Sequence, residues 1–90
     1  MRIRDGYLLR EMGDDHLIVG PGESMDGGVR RIVRINASAA FLWHSVEGRD
    51  FDVSDLASLL EREYALDRTI ARTDAEGIAK AWLLAGIVLP

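Results

Sequence analysis

Ile35-Asn36-Ala37-Ser38-Ala39-Ala40-Phe41-Leu42-Trp43 is where the chain changes period, and that change decides the fold. Val33 and Ile35 flank Arg34 in the alternation of a half-buried strand. From Ala39 onward the apolar residues Ala39, Phe41, Leu42, Trp43 and Val46 recur at helical spacing. Asn36 stands between the two patterns, and its short polar side chain suits a helix cap, where it accepts a backbone N–H of the first turn. Helical pattern follows this junction and strand pattern precedes it. The expected class is therefore α+β, with a small antiparallel sheet first and helices second.

Working toward the N-terminus, the third strand runs from about Val29 to Ile35. Before it, Gly20 to Gly28 holds four glycines and a proline with no apolar period, and reads as a flexible surface loop. Tyr7–Met12 and His16–Gly20 are short apolar segments joined by Gly13-Asp14-Asp15, the composition of a hairpin turn, with Leu8, Leu17 and Val19 expected on one face. Three strands with one face on helices are enough for independent stability.

Working toward the C-terminus, the first helix is expected from Ala37 to Val46, with a stop at Gly48. The second begins around Val53, capped by Asp52 or Ser54, and carries Leu56, Leu59 and Leu60 at i, i+3, i+4 spacing. The third is expected from about Ile70 or Thr73 to Ala85, with Asp74 as a helix-start residue and Gly86 as the stop. Its buried face is marked by Ala75, Ile78, Ala79, Trp82 and Leu83, and Ile87–Leu89 form a short extended tail. Gly77 costs such a helix about 1 kcal/mol relative to Ala. Together with Ala75, Ala79 and Ala81 it permits close approach, either by another element of the fold or by a ligand.

Ninety residues, 48% hydrophobic and 29% charged, describe one ordinary globular domain spanning 1–90. The absence of cysteine removes disulfides, thiol nucleophiles and thiolate metal sites, an iron–sulfur cluster among them. No segment has the apolar length of a signal peptide or a membrane span, so a cytoplasmic location and no membrane partner are expected. A net charge of −4 withholds the phosphate neutralisation from which duplex binding draws most of its affinity.

No catalytic constellation emerges. His16 and His44 stand without carboxylates at ligand spacing, and the carboxylates from Glu47 to Glu76 are spread over caps and solvated faces. Gly20-Pro21-Gly22-Glu23 lacks the Lys-Ser/Thr ending of a phosphate loop and leads into a strand, not a helix. Trp43 and Trp82 lie on the apolar faces of their helices and read as core. The expectation is a chain that is not an enzyme, with no catalytic or metal-ligating residue and no cofactor.

What remains is binding. Arg30, Arg31 and Arg34 cluster on the third strand. They either discourage unwanted pairing on a charged edge or steer a partner segment to an edge left open. The pattern of Asn36, Ala39, Leu42 and Trp43, then Gly48, then Leu56, Leu60, Glu61, Glu63, Tyr64, Leu66 and Asp67, then Asp74, Ile78, Trp82, Gly86 and Ile87 resembles the PqqD-like family. These are the recognition domains of ribosomally made, post-translationally modified peptides. The opening Ile3-Arg4-Asp5-Gly6-Tyr7-Leu8-Leu9-Arg10 resembles the start of short, free-standing members. The resemblance implies a winged-helix-like fold of three strands and three helices. It also implies a precursor's leader peptide added as a fourth strand, against Arg31, Ile32, Val33, Arg34 and Ile35, in a groove walled by Ile78, Ala79, Trp82 and Leu83. The implied partners are that peptide and a modifying enzyme of the kind that includes radical S-adenosylmethionine enzymes, which would hold any cluster themselves. A quinone pathway is not carried over from the resemblance.

Two other classes compete with a peptide chaperone. A winged-helix DNA-binding regulator has a related element order, but here the third helix offers only Arg72 and Lys80 as cations beside Asp74 and Glu76. A self-associating structural module would use the open edge for a homodimer.

Overall fold

The computed structural model describes residues 1–21 and 30–90. The elements follow in the order β1 (Arg2–Ile3), β2 (Leu8–Met12), β3 (Asp15–Pro21), β4 (Arg30–Ile35), α1 (Ala37–Val46), α2 (Val53–Tyr64), α3 (Arg68–Ala85) and β5 (Val88–Leu89). Strands β2, β3 and β4 form an antiparallel sheet in that order, followed by the three helices, and this is the α+β arrangement expected from the junction at Asn36. The loop expected from Gly20 to Gly28 lies mostly outside the described residues, but Gly20 and Pro21 belong to β3, opposite Arg31 and Arg30.

Local chemistry explains each helix start. Asn36 Oδ1 accepts the Ala39 N–H at 2.8 Å, so α1 begins where the strand ends. Asp52 and Asp55 form a reciprocal capping box, each side chain accepting the other's backbone N–H, at 2.9 and 3.0 Å. Asp67 accepts the Ile70 N–H at 3.0 Å. It starts α3 ahead of the expected Ile70 or Thr73, and Asp74 is consequently an exposed residue within the helix. Gly86, at φ 72°, ends α3 in the left-handed region and donates its N–H to Leu83 O at 3.1 Å, while Ile87 donates to Trp82 O at 3.2 Å.

The extended tail finds a partner that short-range pattern did not indicate. β5 pairs antiparallel with β1, Arg2 opposite Leu89 and Ile3 opposite Val88. The Phe51 N–H donates to Met1 O at 2.8 Å, which ties the same leading segment to the entry of α2.

The core is mostly helical. Leu42, Trp43, Val46, Leu56, Ala71, Ala75 and Ile87 are fully buried. Trp82 stands edge-on to Trp43 at 5.4 Å and to Phe51 at 6.1 Å between ring centroids, contacts that contribute about 0.5–1.5 kcal/mol each beyond their buried area. The small residues Ala71, Ala75 and Ala79 face this core, and α3 makes its most extensive packing with α2. Close approach at the small-residue run is thus taken up within the fold, and Gly77 faces open space. From the sheet, Ile18 is fully buried and Tyr7 nearly so. Tyr7 lies flat on Gly20, where any Cβ would overlap its ring.

Candidate functional site

The register of β4 sorts its side chains into two sets. Arg31, Val33 and Ile35 are half-buried on the side of the helices, and Val33 lies opposite the buried Ile18. Ile32 and Arg34 point to the outer side, with Ile32 61% exposed. Leu8, Leu17 and Val19 share a face as expected, but it is this outer one; Leu9 and Ile18 occupy the core side. Both alternations in β2 and β3 contain apolar residues, so period alone does not say which one the helices cover.

β4 is the last strand of its sheet, and among the described residues no strand pairs with its far edge. The chain's own tail is engaged elsewhere, on β1. The edge therefore presents an unpaired row of main-chain donors and acceptors. Its half-buried residues Val33 and Ile35 pack against the core cluster, as do the partly buried Ile78 and Ala85 of α3.

The four expected wall residues do not stand together. Ala79 and Trp82 are 3% and 2% exposed and form the floor beneath the helix, not an accessible wall. Leu83 is 40% exposed, but it lies about 140° around the helix axis from Ile78, since five residues at 3.6 per turn carry it to the opposite flank. Ala85, which sequence reasoning passed over, shares Ile78's flank, and the signal was their separation by two turns.

Arg4 was also not foreseen. Its Nη1 donates to Gly86 O at 3.3 Å, and Arg31 Nη1 lies 3.3 Å from where a Gly86 Cβ would be. Two guanidinium groups thus meet the C-terminal end of α3, where the helix dipole favours positive charge. No local pattern joins position 4 to position 86; only the β1–β5 pairing does.

His16 Nδ1 is 3.3 Å from Glu11 Oε1, its cross-strand partner, and His44 Nδ1 is 3.8 Å from Glu47. Both histidines border an open cavity of about 360 Å³ with Leu9, Glu11 and Phe41. Among the described residues no group of three His, Asp or Glu side chains is placed to hold a metal ion. No described helix is long and apolar enough to cross a membrane.

The family model of coenzyme PQQ synthesis protein D (PqqD) matches residues 19–88, from β3 to β5. The chain belongs to the PqqD family. The matched span includes the open strand β4 and all of α3. The solved structure of TbiB1 in complex with the TbiA(β) leader peptide has the same fold, with a TM-score of 0.70. The likeness covers 98% of this chain and 94% of that one at 16% sequence identity. No curated protein gives a significant match.

Proposed function

We propose that this chain is a non-catalytic chaperone that captures the leader of a ribosomally made precursor peptide by β-strand addition to β4 and presents it to a modifying enzyme. The observation that carries the reading is the edge of β4, which no strand pairs with among the described residues. Such an edge binds through main-chain hydrogen bonds and selects through alternate side chains. Membership of the PqqD family supports it, as does a shared fold with a protein solved in complex with a leader peptide. The peptide strand is expected along Arg31 to Ile35, with Ile78 and Ala85 as the helix wall and the buried Ala79 and Trp82 beneath it.

DNA binding is the weaker reading. Arg72 on α3 is held by Glu76 at 2.9 Å and Ser54 at 3.1 Å, and Arg68 faces Glu61 at 3.8 Å.

Capture is tested with bound peptides N-methylated at one backbone nitrogen at a time, followed by fluorescence anisotropy. Strand addition requires weakening at every second residue, because alternate N–H groups point to the partner strand. A flat profile excludes it. Presentation is tested by adding the purified chain to a precursor and the maturation enzyme encoded beside it. Modification at the same rate with and without the chain excludes that role. A radical S-adenosylmethionine enzyme is one such partner.

A further inference from the structure

Across the outer face of the sheet, the register aligns two rows of side chains. Leu8, Val19 and Ile32 form one row, and Arg10, Leu17 and Arg34 form the next. The first is apolar from β2 to β4 although Leu8 is 52% and Ile32 61% exposed. The second reaches the open edge in a guanidinium whose side chain is 74% exposed. Arg34 has Asp15 Oδ2 at 3.7 Å, but that carboxylate is itself 54% exposed, and an exposed pair at this separation holds its partners weakly. Both rows stop at the edge of β4, at residues two apart.

A strand docking on that edge sets one side chain directly beside each of these ends, on the same face, with Cβ atoms about 4.5–5.5 Å apart. We infer that the peptide captured by this protein carries an apolar residue and a carboxylate two positions apart, aligned with Ile32 and Arg34 on the face turned away from the helices. The inference rests on strand addition at β4 and adds a selection rule to it. The groove side reads other residues of the peptide, those beside Val33 and Ile35. The outward pair is a second, independent determinant, and the spacing holds whether the peptide runs parallel or antiparallel to β4.

A second copy of this chain is a poor occupant. The strand Arg30-Arg31-Ile32-Val33-Arg34-Ile35 holds three arginines and no carboxylate, so edge-to-edge pairing of two copies brings like charges together. A peptide with a carboxylate at the matching position removes that conflict.

The test is selection of strand-length random peptides displayed on phage against the full chain and against its Arg34→Glu variant. The unmodified chain should enrich Asp or Glu two positions from Leu, Ile, Val or Phe. The variant should enrich Lys or Arg at the acidic position. A binder from the first selection should lose roughly fivefold to tenfold in affinity for the variant and regain most of it when its carboxylate is replaced by Lys. Binders that show the alternate N-methyl pattern without this pair, or without the charge exchange, overturn the inference and leave strand addition standing. An empty selection, or binders indifferent to N-methylation, overturns strand addition and this inference with it. A dimer seen by sedimentation that Ile32→Arg dissociates and peptide does not also overturns it.

Discussion

The two halves of this chain differ in charge and in burial. Residues 1–35 carry six cations and six carboxylates, whereas residues 36–90 carry five and nine, so the whole net charge of −4 resides in the helical half. That half also supplies most of the buried core, while the sheet contributes few fully buried side chains and leaves Leu8, Met12 and Ile32 exposed. The helices thus hold the fold and carry its net negative charge. The sheet is free to display an apolar and cationic surface. The difference teaches that an exposed isoleucine on β4 cannot be judged by the rules that govern a leucine on α1.

The sharpest way to break this division is in the core. Trp43→Ala should cost about 3–5 kcal/mol, enough to unfold much of a small domain, whereas Ile32→Ala should change stability by less than about 0.5 kcal/mol. Urea denaturation followed by circular dichroism measures both, and similar losses at the two sites would erase the contrast.

The next effect tests the one place where the sheet is tightly packed. Gly20→Ala should destabilise by about 1–3 kcal/mol because its methyl group meets the Tyr7 ring. The same change in a Tyr7→Ala background should cost much less, and additive losses would show that the ring is not the obstacle.

A smaller loss is expected at the helix starts. Asp67→Ala should lower stability by about 1 kcal/mol, and Asp67→Ser should restore most of it. A thermal melt unchanged by the alanine would remove this cap from the account.

The smallest stability effect belongs to the proposed recognition surface. Arg34→Glu should leave the unfolding midpoint nearly unchanged while slowing association with an acidic peptide, and the slowing should shrink as salt is raised. Stopped-flow binding at two ionic strengths separates this from a loss of fold. A salt-independent change would mean that Arg34 acts by contact and not by steering.

The elements with local causes were legible in the sequence. Asn36 capped α1 where its pattern said it would, and Gly86 closed α3. The α2 cap was narrowed to two residues, and its decisive partner proved to be Asp55, three residues on from Asp52. The start of α3 was missed because Asp74 resembles a first-turn acid, while Asp67 sits directly after the left-handed Ala65 turn that ends α2. Features with distant causes were not legible. β1 is too short to show a period, and its partner is more than eighty residues away. Gly20 looked like loop punctuation, yet it is a strand residue made necessary by a ring from another strand. At the candidate site, the alternation of β4 was legible, but apolar spacing in α3 does not separate the buried Ala79 and Trp82 from the partly buried Ile78 and Ala85.

The pairing of Arg2–Ile3 with Val88–Leu89 brings the two extremities of the backbone side by side. A short linker between them should make a circularised molecule with little change in shape, and a new opening cut between α1 and α2 should still allow it to refold. In such a permutant β4 and α3 keep their places. A cargo fused at the new opening would then still be carried near the original ends, because Phe51 of the α1–α2 connection is hydrogen-bonded to Met1.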